Sequence, residues 1–358
     1  MLPRLTLLRQ LSRVNRGQSP YLYHTLSGTK IAKSIREEAN QEIKSIRQRF
    51  PEFEPKLKIL QIGGRPDSST YVRMKLKAST ESGIACDVEK LPDHITEVEL
   101  FNKIEEINDD DSIHGILIQL PLPKNLDEAR ITNAVSYKKD VDGFHRYNAG
   151  ELAKRNGSPF FIPCTPNGCI RLLKEANVDL NGKSAVVIGR SDIVGTPVSN
   201  LLKNMNATVT MCHSRTKNIP ELLSTADVVV AACGMPQYVK GEWLKEGAVV
   251  IDVGINYIPD ASKKSGVRLV GDVDFESAKS KCSYITPVPG GVGPMTVAML
   301  VQNVLSAAKR QLTESDGMPK IAPLPLPLKS PVPSDIAISR SQQPKPVQEI
   351  AEELGIHN

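Results

Sequence analysis

From Lys30 to Phe50, Ile31, Ile35, Ala39, Ile43 and Ile46 recur at helical spacing, which predicts an amphipathic helix. The apolar run "LKILQIGG" (57–64) predicts a strand stopped by a glycine turn. "DSSTYVRMKLKASTESG" follows as a helix, with Ser68 or Ser69 placed to cap it. Next come a strand in "IACDVEKL", a helix in "EVELFNKIEEINDD" and a buried strand in "IHGILIQLPLP". Such alternation predicts an α/β layer. A connecting helix over 165–178 leads to a second unit, "KSAVVIGRSDIVGTPVSNLLKNMNATVTMCHSRT", which reads strand, glycine turn, helix, strand. "ADVVVAACG", "GAVVIDVGIN" and "RLVGDVDF" add strands, and a helix over 295–312 is expected to pack back on the first unit.

The two ends differ from this pattern. Arg4, Arg9, Arg13 and Arg16 precede the first acid, Glu37, and Leu5, Leu8 and Leu11 can share a helical face. That composition predicts a mitochondrial presequence over 1–26, and with it a matrix location. Arginines interrupt the apolar part, so a secretory signal fits less well. From about residue 313 the chain is proline-rich without periodicity, which predicts an extended arm.

Composition narrows the chemistry. A 40% hydrophobic, 24% charged chain of 358 residues is long enough for two ordinary domains. A net charge of +5 and 4% aromatics give no argument for nucleic acid. No apolar run reaches membrane-spanning length. The six cysteines form no C-x-x-C pair and read as reduced thiols. The six histidines make no H-E-x-x-H or His/Cys cluster, so no protein-built metal site is expected.

"VVIGRSDIVGTP" follows a predicted strand and opens a predicted helix. Gly189 and Gly195 let the backbone approach a phosphate, which the helix N-terminus favours. Ser191 stands at the middle glycine position of the usual dinucleotide fingerprint. The next strand ends in His213, Ser214 and Arg215 rather than in an acid. A carboxylate there would repel a 2′-phosphate; a hydroxyl and a guanidinium would hold one. With Arg190 nearby, the expected cofactor is NADP, unless Arg215 is simply a solvated loop residue.

"YVRMKLKAS" (71–79) carries three cations and no acid. On a helix Tyr71 and Lys75 share a face, while Arg73 and Lys77 point roughly the other way. Spacing alone leaves open whether Lys75 faces inward or is one more surface lysine.

"YVRMKLKAS", "GILIQLPLP", "KDVDGFH", "PCTPNG", "GRSDIVGTP", "DVGIN", "GDVDF" and "TPVPGGVGPMTVAML" occur in that order. Over about residues 27–312 the chain closely resembles the methylenetetrahydrofolate dehydrogenase/methenyltetrahydrofolate cyclohydrolase family. The resemblance implies two α/β domains with a cleft between them, in a homodimer. The N-terminal folate and catalytic domain would be 27–164, completed by the helix 295–312. A Rossmann-type NADP-binding domain would be 165–294. Lys75 matches the family's essential lysine, Tyr71 the tyrosine that stacks on the folate, and Gln119 the glutamine bonded near that lysine. Asp142 matches the aspartate that binds the pterin. Val72, Arg73, Met74, Ile118 and Leu120 flank them in the implied substrate site. Pro289, Gly290, Gly291, Val292 and Gly293 match the loop closing over the substrate. Gly189, Arg190, Ser191, Ser214 and Ile255 fall where the family contacts the dinucleotide, and Arg215 joins them from the charge argument.

The implied reaction suits these residue types. Hydride leaves 5,10-methylenetetrahydrofolate for NADP, and water then attacks the methenyl cation to give 10-formyltetrahydrofolate. The second step needs a proton acceptor, and burial beside a substrate cation disfavours an ammonium. Two alternatives stay open: an NAD-using mitochondrial variant of the same enzyme, and a non-catalytic folate-binding module. The NAD forms carry an insertion and an aspartate before the second Rossmann strand, where this chain has Asn206 and no insertion. The tail over 313–358 resembles the start of the synthetase domain of trifunctional C1-tetrahydrofolate synthases. The chain is therefore expected to be a truncated form or fragment of such an enzyme, without its ATP-dependent ligase.

Overall fold

The computed structural model describes residues 23–263 and 265–315. The expected presequence and tail lie outside them, except for 23–26 and 313–315. Strand β1 (His24–Thr25) comes first in the chain, and the first lobe then contains helix α1 (Gly28–Arg49), β2 (Lys56–Ile62), α2 (Pro66–Glu81), β3 (Ala85–Leu91) and α3 (Glu97–Asp109). It continues through β4 (Gly115–Ile118), α4 (Glu128–Ala134) and α5 (Arg146–Ala153). The second lobe follows with α6 (Cys164–Glu175), β5 (Ser184–Ile188), α7 (Gly195–Asn204), β6 (Thr208–Cys212), α8 (Ile219–Leu223), β7 (Val228–Ala231) and β8 (Val249–Asp252). β9 (Asn256–Pro259), β10 (Val267–Val270), α9 (Phe275–Ala278), β11 (Tyr284–Ile285) and α10 (Val292–Ser315) complete it.

The first sheet is parallel, in the order β3-β2-β4. The second is parallel throughout, in the order β1-β11-β8-β7-β5-β6. Strand residues alternate between faces, as the pleat requires. Leu57 and Ile59 enter the core shared with α1, α6 and α10, whereas Leu60 and Ile62 pack with Leu100 and Ile104 of α3. Ala185, Val187, Val228 and Val230 of the second sheet enter that same shared core. Both lobes therefore belong to one compact unit ending at Leu312.

α10 packs back on the first lobe as expected. Its buried Asn303 donates to the Val141 and Ile162 carbonyls at 2.8 and 3.1 Å. The helix begins at Val292, three residues before the expected start, because Pro294 is tolerated in a first turn.

Two further expectations change, and one expected strand finds its partner outside the large sheet. α2 starts at Pro66, so neither Ser68 nor Ser69 caps it; Ser69 Oγ instead accepts from the buried Gln61 at 2.8 Å. "RLVGDVDF" does not extend the large sheet. β10 pairs antiparallel with β9 in a separate hairpin, closed by an Asp260 N–H to Gly266 carbonyl bond, and both strands are too exposed to join a buried parallel sheet. Residues 23–26, assigned by composition to the leader, are part of the fold. His24 N–H donates to the Ser283 carbonyl, Leu26 N–H donates to that of Ile285, and Leu26 is buried. All six cysteines are free thiols.

Candidate active site

α2 presents Tyr71 and Lys75 on one face, while Arg73 and Lys77 are exposed. Lys75 Nζ donates to Gln119 Oε1 at 3.1 Å. Gln119 stands just past β4, is 8% exposed, and is aimed by its own Nε2 donating to the Leu120 carbonyl at 2.6 Å. Among the described residues no carboxylate lies within ion-pair distance of Lys75. The lysine is thus held by a neutral acceptor.

Asp142 lies beside this pair. Burial pushes its carboxyl up, and the charge of Lys75 and a hydrogen bond from Cys164 pull it back. The buried Cys164 thiol is pushed well up by burial, so it stays a neutral donor. Its Sγ reaches the Val141 carbonyl at 3.4 Å. The turn carrying Asp142 is anchored by Asp140, which accepts from Phe144 and His145 N–H at 3.2 and 2.8 Å and from Asn148 Nδ2 at 2.9 Å. Burial still lifts Asp140 to about 7.

α2 and the second lobe enclose a cleft of about 530 Å³, whose lining includes none of Lys75, Gln119 and Asp142. Tyr71, Met74, Ile255 and the whole 289–293 loop line it, together with Asp252 and Tyr257. Burial raises the Tyr71 hydroxyl, with smaller contributions from Tyr257 and Asp67. Gly290 has φ +105°, a conformation that favours glycine, and its carbonyl accepts from Thr29 N–H at 3.1 Å. Val72 and Ile118 turn into the core at 4% and 5% exposure, which leaves only their backbones for a substrate. Arg73 bonds Thr70 Oγ1 at 3.2 Å on the outer face, and Leu120 packs on the α3 side of the sheet.

The dinucleotide loop joins β5 to α7. Gly189 has φ +127°, and a Cβ there would lie 2.1 Å from the Ala232 carbonyl oxygen; a Cβ on Gly195 would lie 2.3 Å from that of Gly189. Backbone packs against backbone at both positions, which excludes a side chain there. Ser191 Oγ accepts from Val194 and Gly195 N–H at 3.2 and 3.3 Å, leaving its own O–H to donate. Gly189 N–H donates to the Cys212 carbonyl, which sets the ends of β5 and β6 side by side. Arg190, Ser214 and Arg215 are exposed there, and neither arginine has an ion-pair partner among the described residues.

Residues 26–142 match the catalytic domain of tetrahydrofolate dehydrogenase/cyclohydrolase, and residues 163–312 match its NAD(P)-binding domain. The bifunctional methylenetetrahydrofolate dehydrogenase/cyclohydrolase of Campylobacter jejuni is 43% identical, with a TM-score of 0.76 over 80% of this chain and 99% of that one. This chain belongs to the tetrahydrofolate dehydrogenase/cyclohydrolase family. The Trypanosoma brucei member, solved with NADP and an inhibitor, is 41% identical, with a TM-score of 0.78 over 81% and 98% of the two chains. The mitochondrial C-1-tetrahydrofolate synthase of Saccharomyces cerevisiae is 71% identical over 94% of this chain but only 34% of its own length. The chain thus spans about a third of the curated relatives it matches. The two-domain α/β family fold expected from sequence is the one observed. Sequence reasoning missed Asp140 and Cys164 beside Asp142, and Asp252 and Tyr257 in the cleft lining. The usable signal was an acid at the end of an apolar run, as in "DVGIN" and "GDVDF".

Proposed function

We propose that this chain oxidises 5,10-methylenetetrahydrofolate to the methenyl form with NADP and then hydrolyses that product to 10-formyltetrahydrofolate. The observation that carries the reading is the 3.1 Å Lys75–Gln119 bond beside Asp142, on the helix whose Tyr71 and Met74 line a cleft shared with the dinucleotide-binding lobe. NADP supplies the hydride acceptor when bound. The glycine cradle at 189 and 195, the free Ser191 hydroxyl and the unpaired Arg190 and Arg215 fit its phosphates, with Ser214 beside the 2′-phosphate. Tyr71 stacks on the pterin, and Asp142 accepts its N–H donors. Neutral Gln119 orients Lys75, whose Nζ accepts the proton of the attacking water. The 289–293 loop covers the substrate and limits competing water.

The arginine-rich start and the mitochondrial relative support a mitochondrial location, and family membership supports a homodimer. The reading is tested by assaying the purified chain on methylenetetrahydrofolate with each nicotinamide cofactor, with and without magnesium and phosphate. NADP reduction coupled to 10-formyltetrahydrofolate formation is expected. Predominant NAD use would overturn the cofactor assignment.

A further inference from the structure

Two carboxylates without a cation lie behind the wall of the cleft. Asp252 is 3% exposed and Asp272 fully buried, and Asp252 lines the 530 Å³ cleft three residues before Ile255. Asp252 Oδ1 accepts from Gly254 and Asp272 N–H at 3.0 and 2.8 Å, and Oδ2 accepts from Val273 N–H at 3.0 Å. Asp272 Oδ2 accepts from Cys233 and Gly234 N–H at 2.7 and 2.9 Å, while Oδ1 accepts from Asn256 Nδ2 at 2.8 Å. Every bond is to an uncharged donor. Among the described residues neither acid has an ion pair. The backbone wraps so closely that a Cβ on Gly271 would lie 1.8 Å from Asp252 Oδ2.

Neutral side chains could tie these loops together without burying two like charges, which is costly unless a cation is near. The proposed reaction brings one: oxidised nicotinamide is cationic and reduced nicotinamide is neutral. We infer that Asp252 and Asp272 set a negative field at the cleft that makes the protein hold oxidised NADP in preference to the reduced form. Burial lifts Asp252 to about 7, so the field is full only above that pH. The inference rests on the proposed function. Its consequence is easier release of the reduced product after hydride transfer.

Asp272→Asn is the decisive variant. Its amide oxygen keeps the Cys233 and Gly234 bonds, and its NH₂ can donate to Asn256 once that side chain flips. Binding of NADPH to the full chain is followed by nicotinamide fluorescence at about pH 8, and NADP⁺ by displacement. The ratio of the two dissociation constants should move toward NADPH by on the order of fivefold. Asp252→Asn should move it the same way, and thermal melting checks that each variant is folded. Arg215→Ala should weaken both forms alike, because the 2′-phosphate is common to them. An unchanged ratio in folded Asp272→Asn would overturn the inference and leave the pair a loop scaffold. Failure of the unmodified chain to bind either form would instead overturn the proposed function.

Discussion

Thr29 N–H donates to the Gly290 carbonyl at 3.1 Å, so the first turn of α1 holds the loop that covers the cleft. The contact is tight: a Cβ on the adjacent Gly28 would lie 1.9 Å from the Gly291 carbonyl oxygen. β1, immediately upstream, is an edge strand of the second-lobe sheet. One short segment therefore ties the second-lobe sheet to the 289–293 loop.

Gly28→Ala should displace this loop and raise KM for the folate by about tenfold, because small misplacements of positioning groups weaken catalysis steeply. NADP binding should change little. Steady-state kinetics in both substrates give the comparison, and a folate KM equal to that of the unmodified chain would show that the loop does not depend on α1.

Lys75→Met should abolish the cyclohydrolase step, by about a hundredfold or more, since a thioether cannot accept the proton. Circular dichroism should stay unchanged, because Lys75 is only half-buried and its one hydrogen bond among the described residues is to Gln119. Undiminished 10-formyltetrahydrofolate formation would count against the role of the lysine.

Arg215→Ala should raise KM for NADP by about tenfold or more while leaving that for NAD nearly unchanged, as one charge-assisted phosphate contact is lost. Equal effects on the two cofactors would mean that Arg215 does not read the 2′-phosphate.

Asn303→Ala should lower stability by about 1–3 kcal/mol, because the Val141 and Ile162 carbonyls lose the amide they share, leaving Val141 only the Cys164 thiol. Denaturant unfolding measures the loss. Since Val141 precedes Asp142, the folate KM should rise as well.

Burial places Asp140 and Asp252 at about 7, above the ordinary carboxyl value of 3.8. Both bind a proton more tightly in the folded than in the unfolded chain. Their stabilising effect is complete below about pH 4 and is lost as pH rises through about 7. Tm should therefore fall between about pH 5 and pH 8, and Asp140→Asn should flatten the fall. A Tm that climbs over that interval would contradict the assignment.

The β5–Gly189–α7 unit and the pairing of Tyr71 with Lys75 were legible because each is local. Strand, turn and helix follow one another in sequence, and a four-residue helical spacing fixes a shared face. β1 was not legible: two residues carry no period, and His24–Thr25 become a strand only against β11. "RLVGDVDF" was legible as a strand, but its partner was not. Its apolar residues suit any strand, and only pairing with β9 makes it a hairpin. The start of α2 was misplaced because Ser68 and Ser69 look like caps, whereas Pro66 already begins the helix.

By itself the sequence determined most of the elements, the family and the residue types of the site, since these depend on neighbours a few positions apart. Whether Lys75 faces a neutral partner depended on Gln119, 44 residues away, and on Asp142 beside it. The burial of Asp252 with Asp272, and the hold of Gly28 and Thr29 on the 289–293 loop, likewise depended on distant backbone closing around them. Burial and charge pairing are properties of the packed chain, and no local pattern encodes them.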